Sequence, residues 1–135
     1  MDQMMINHWA VLVSAAFSLV LGAVWYSPAL FYKGWMKASG VTEEQVKASS
    51  PLKTYLLAFV LAYIMSYNLA FFLGDEATDW KWGLTAGFLA GFGWVATMFT
   101  VIALFEFRSL KYILINAGYM IVYFSVIGLI LGAWR

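Results

Sequence analysis

Two groups of polar residues flank apolar runs and have the side chains for chemistry. Glu106, Arg108, Lys111 and Asn116 fall within a turn or two of one membrane edge, and Trp25, Tyr26 and Ser27 close an earlier run that would end at the same depth. If the first and third helices are adjacent, a guanidinium and an amide beside indole and phenol rings suit a lipid headgroup or a small anion; the plainer alternative is an ion pair that fixes the 106–111 loop. At the other edge His8 could meet Asp75, Glu76 and Asp79, and imidazole with carboxylates suits a divalent ion. No ligand spacing such as HxxxH accompanies them, so a solvated acidic turn is the favoured reading and no metal is expected. No nucleophile–base pair, phosphate loop or paired carboxylates can be identified, so the expectation is a protein that is not an enzyme and carries no cofactor.

The elements that must position these residues follow from composition. Of the 135 residues 64% are apolar and 11% charged, against roughly half and a quarter in soluble domains. The excess sits in four runs, 9–26, 55–73, 83–105 and 112–134, none with Lys, Arg, Asp or Glu. At about 1.5 Å per residue these reach roughly 27 to 35 Å, enough for a hydrocarbon core about 30 Å thick. Backbone in lipid must satisfy its own hydrogen bonds, and runs this long and unalternating exclude barrel strands. The expected fold is therefore an all-α membrane protein: one domain over 1–135, a four-helix transmembrane bundle. The first run is read as a span and not a secretory signal, because MDQMMINH carries no Lys or Arg and no small-x-small site follows. Cysteine is absent, so no disulfide or thiolate site is possible, and a net charge of +1 gives no footprint for nucleic acid.

Loop charge sets the expected orientation. The 27–54 and 106–111 loops carry Lys33, Lys37, Lys47, Lys53, Arg108 and Lys111, whereas the side bearing the termini has Lys81 and Arg135. Six against two makes the first side cytoplasmic and both termini non-cytoplasmic. Trp9, Trp80, Trp82 and Trp134 would mark the outer interface, and Trp25, Tyr26, Tyr32 and Trp35 the inner one; Trp94, mid-span, would either pack between helices, the favoured reading, or face a cavity. After Pro28 the segment LFYKGWMK reads as an interfacial helix with snorkelling lysines, and Thr42 with Gln45 reads as a capping box opening a short polar helix.

Small residues recur at helical spacing in every span: Ser14, Ser18 and Gly22; Ala58, Ala62, Ser66 and Ala70; Gly83, Gly87 and Gly91; Ser125, Gly128 and Gly132. In lipid such stripes let backbones approach. Gly83, Gly87 and Gly91 could pack within the chain or form a homo-oligomer seam. No ionisable group lies inside a span, as proton coupling would require, and Asn68 and Asn116 are expected at different depths and unbonded to each other.

The opening NHWAVLVSAAFSLVLGAVWYSPALFYKGWMKASGVTEEQ and the closing FEFRSLKYILINAGYMIVYFSVIGLILGAW closely resemble the bacterial membrane proteins grouped as domain of unknown function 1761. The most specific matches are Asn7, the GAVWYSP from Gly22 to Pro28, the turn Glu106-Phe107-Arg108, and Ile115-Asn116-Ala117-Gly118-Tyr119. The resemblance implies a four-span inner-membrane protein and no particular activity. It moves the candidate ligand site to the inner boundary, at Trp25, Tyr26, Ser27, Glu106, Arg108 and Asn116. The partners expected are the lipid bilayer and a ligand that is a lipid headgroup or small amphipath; the alternatives are a small transporter or an assembly partner in a membrane complex.

Overall fold

The computed structural model describes residues 4–135. Every regular element among them is helical: α1 (His8–Trp25), α2 (Tyr32–Ser39), α3 (Glu43–Ala48), α4 (Pro51–Phe72), α5 (Trp80–Ala90), a π-helical segment (Gly91–Ala96), α6 (Thr97–Phe105) and α7 (Leu110–Ala133). The α5–π–α6 run is continuous, so four helices are long and apolar enough to cross a membrane: His8–Trp25, Pro51–Phe72, Trp80–Phe105 and Leu110–Ala133. Each begins where a side chain can satisfy the free amides of the first turn. Asn7 accepts from the amides of Trp9 and Ala10, Ser50 from Lys53 with Pro51 behind it, Asp79 from Trp82, and Ser109 from Tyr112. These caps carry three of the helices a turn past the apolar runs, into residues such as Lys53, Lys81 and Lys111.

Helix α7 is the axis of the bundle, touching α1, α2, α4 and the whole third span. Its seam with α5 is built from glycine. Gly83 lies against the Gly128 carbonyl, Gly87 against that of Phe124, and Gly132 against that of Asp79, so that a methyl group at any of these would overlap backbone. The stripe that offered a choice between an internal and an oligomeric seam is thus occupied within the chain. Beyond Gly91 the next buried small residues are Ala96 and Ala103, and the step from 91 to 96 is five residues where the earlier steps are four. One π turn absorbs that extra residue and keeps the stripe on α7. The widened turn also rotates Trp94 outward: it is 66% exposed and sets its ring 6.1 Å from that of Phe72 on α4. The favoured expectation that Trp94 packs between helices is corrected accordingly; it faces the cleft, as the alternative had it.

On the opposite flank α1 packs on α4 through the other stripes, with Ser14, Ser18, Ala62, Ser66 and Ala70 all buried. Helix α1 meets α7 through a reciprocal exchange. Gly22 makes room for the Tyr119 hydroxyl at 3.0 Å from where a Cβ would stand, and Gly118 makes room for the Trp25 ring at 3.1 Å. Helix α4 leans mainly on α1, which leaves a cleft between α4 and the third span.

The connection from α1 to α4 is folded. Ser27 and Pro28 turn the chain, with the Leu30 amide donating to the Ser27 carbonyl and that of Phe31 to the Trp25 carbonyl. Helix α2 then lies against α7, and Gly40 ends it in a left-handed conformation. Thr42 and Gln45 form the capping box that opens α3, with both reciprocal bonds present. At the other end of the bundle the Met5 amide donates to the Gly74 carbonyl, and the Arg135 guanidinium donates to the carbonyls of Leu73 and Asp75, gathering Met5, Arg135 and the α4–α5 loop on one side.

Candidate ligand chamber at the membrane boundary

The expected site residues occupy one end of the bundle and divide into three settings. Tyr26 and Asn116 meet directly: the Tyr26 hydroxyl donates to Asn116 Oδ1 at 2.5 Å, while Asn116 Nδ2 donates to the Tyr112 carbonyl at 3.0 Å. Asn116 is 8% exposed, so this pairing removes the cost of a bare amide in apolar surroundings. Trp25 braces the seam. Its indole N–H donates to the Ile115 carbonyl at 3.0 Å, and its ring packs on Phe31 and Tyr119. Ser27 spends its hydroxyl on the Val24 carbonyl, stabilising the turn.

Arg108 and Glu106 belong to the loop between α6 and α7. There the Arg108 amide donates to the Ala103 carbonyl and that of Phe107 to Leu104, a helix-terminating motif that holds Phe107 at a φ of 57°. The turn directs Arg108 back toward α2, where Nη1 donates to the Ser39 carbonyl at 3.2 Å and the guanidinium lies 4.9 Å from the Tyr112 ring centre. Arg108 therefore clamps the end of α2, where carbonyls are unsatisfied and positive charge is favourable. Glu106 is exposed at the end of α6.

Tyr26 and Asn116 form one wall of a chamber of about 600 Å³. Tyr32 and Trp35 of α2, Gln45 and Val46 of α3, and Pro51, Thr54 and Tyr55 of α4 supply the rest. The sequence reading found Tyr26 and Asn116 and missed the α2–α3–α4 contribution. Lining side chains spend hydrogen bonds on Tyr26–Asn116, on the Gln45–Thr42 cap and on the Val46 carbonyl, which accepts from Ser49. The Trp35 indole N–H and the Tyr32 and Tyr55 hydroxyls have no protein partner among the described residues.

A second cavity of about 400 Å³ lies on the membrane-interior side of the first and shares Tyr26 as a lining residue. It runs between α4 and α7, with Leu61, Met65, Val95, Met120 and Phe124 giving it an apolar surface and Tyr119 bound to the Ser18 carbonyl at 3.1 Å. Nearer the termini, Leu69, Phe72, Trp82, Leu89 and Trp94 line a further hollow in the same cleft.

At the opposite boundary the carboxylates and His8 do not converge. His8 pairs with the Tyr67 hydroxyl, Asp75 accepts from the Ala77 amide, and Asp79 caps α5. No group of three metal-binding side chains occurs among the described residues. Asn68 is exposed on α4.

Comparison with known proteins adds one match. The model of the family described as a protein of unknown function, DUF1761, aligns with residues 9–132, and no curated protein or solved structure matches. The chain belongs to that family, and the matched span takes in every residue of the chamber and all of the four long helices but His8 at one end and Ala133 at the other.

Proposed function

We propose that this DUF1761 member, a multi-pass membrane protein, binds an amphipathic molecule drawn from the bilayer, with the polar end in the boundary chamber and the chain in the adjoining cleft. The observation that carries the reading is the shared Tyr26 wall between a chamber of about 600 Å³ with aromatic and hydrogen-bonding walls and an apolar cleft of about 400 Å³. Ligand pockets have this size and character, mostly apolar with a few placed polar groups. The side bearing α2 and α3 faces the cytoplasm of a bacterial cell on this reading, supported by the six cations there against two, Lys81 and Arg135, on the side bearing the termini. The role is binding, with Tyr26 and Asn116 at the head end and Trp25, Ser27 and Arg108 holding the walls.

A photoactivatable fatty alcohol bearing a mid-chain diazirine tests this in reconstituted bilayers. Cross-links should concentrate on cleft peptides containing Leu61, Met65, Val95 and Met120. Labelling spread evenly over the lipid-facing sides of all four long helices contradicts the reading.

A further inference from the structure

The chamber walls also specify the kind of headgroup, an inference that rests on the binding role above. Among the described residues none that lines the chamber is Lys, Arg, Asp or Glu. The nearby cations are held elsewhere or point into solvent. Arg108 is bound to the Ser39 carbonyl and the Tyr112 ring, Lys111 packs its side chain over Gly34 on another face of α2, and Lys33, Lys37, Lys47 and Lys53 are exposed. What the chamber offers is donors on aromatic frames: the Trp35 indole N–H and the Tyr32 and Tyr55 hydroxyls, unpartnered among the described residues, beside the fixed Tyr26–Asn116 pair.

We infer that the chamber selects an uncharged headgroup rich in hydrogen-bond-accepting oxygen, a polyol or carbonyl group on a single apolar chain, and discriminates against phosphate. Two physical terms act together. A phosphate entering from water loses hydration and finds no cation to replace it, which is costly in a partly apolar site. A neutral oxygen-bearing group loses much less, and it accepts from donors that the protein itself leaves free. Aromatic rings supply flat, rigid contact area against the carbon framework of such a head. The chain then contributes by leaving for the apolar cleft beyond Tyr26, which separates a lipid ligand from a water-soluble polyol of the same head chemistry.

The test uses the purified full chain in detergent, titrated with 1-monooleoylglycerol, with 1-oleoyl lysophosphatidic acid of the same chain, and with glycerol alone, with binding read by native mass spectrometry and thermal unfolding. The monoacylglycerol should bind about tenfold or more tighter than the lysophosphatidate, and glycerol alone should give no shift. Trp35→Phe keeps the ring and loses the N–H, so it should weaken monoacylglycerol binding severalfold while leaving the unfolding temperature of the free protein unchanged. Equal or tighter binding of the lysophosphatidate overturns the headgroup inference and leaves the amphipath reading standing. An equal shift with glycerol alone overturns the role of the chain, and failure of both lipids to bind overturns the inference together with the proposed function.

Discussion

The two faces of the third span make opposite kinds of contact. Toward α7, Gly83, Gly87 and Gly91 meet backbone and Cβ atoms of the facing helix with no side chain between, and Gly128 and Gly132 answer from that helix. Toward α4, large side chains such as Trp94, Leu89 and Trp82 stand out, and the gap is a cleft. Because acyl chains are as apolar as leucine, burial against lipid and against protein are nearly equivalent, and helix association depends on how closely the surfaces fit. One face therefore closes on its neighbour while the other leaves a cleft. In this chain the glycine pattern marks the closely packed face, and the cleft lies where glycine is missing.

The sharpest way to break this contrast is at Gly87. Gly87→Leu would push a side chain into the Phe124 carbonyl, and a loss of about 3 kcal/mol or more is expected from such overpacking. Titration with a denaturing detergent, followed by circular dichroism, would measure it. A smaller effect is expected where the neighbour is a side chain. Gly118→Leu meets only the Trp25 ring and should cost about 2 kcal/mol, with more than half recovered in the double variant with Trp25→Ala. At the chamber wall Asn116→Leu should cost about 1 kcal/mol, near the upper range for a hydrogen bond between membrane helices, and adding Tyr26→Phe should cost little more because the pair is already broken. The smallest change is expected at Gly93, six residues from Gly87, where nothing lies within 4 Å of an added Cβ. Gly93→Ala should leave the unfolding midpoint unchanged or raise stability by up to about 1 kcal/mol. Equal losses at Gly87 and Gly93 would erase the distinction between the two faces.

Much of this arrangement was legible in the residues. Uncharged runs of 18 or more residues dictate spanning helices because lipid offers the backbone no hydrogen-bond partner, and Thr42 with Gln45 carries its capping geometry in its spacing. The small-residue stripes located both seams. Gly22 and Gly118, quoted in the family resemblance, acquire their physical meaning only in the fold, where each receives the other helix's aromatic ring. Trp94 was misplaced because a period of 3.6 assumes an unbroken α-helix, and the five-residue step from Gly91 to Ala96 that signals the π turn is visible only once the stripe is known to stay on α7.

The candidate site was half legible. Polar and aromatic residues at matching membrane depth grouped Tyr26 with Asn116, but on the condition that the first and third spans adjoin; the fold brings the two together by packing α1 on α7, the fourth span. Depth says nothing about azimuth, so Arg108 was grouped with them although its loop carries it to the end of α2. Trp35, Tyr32 and Tyr55 escaped because the fold of the α1–α4 connection, and not any local motif, brings them over the chamber.

The most direct test of a bilayer ligand in this chamber is the native mass spectrum of the protein extracted with its surrounding lipid, taken in parallel for the unaltered chain and for Trp35→Leu. The account predicts a retained adduct of single-chain lipid mass on the 15.2 kDa chain that is lost or much reduced in the variant. Equal adducts on both proteins, or a bare chain in both, would contradict it.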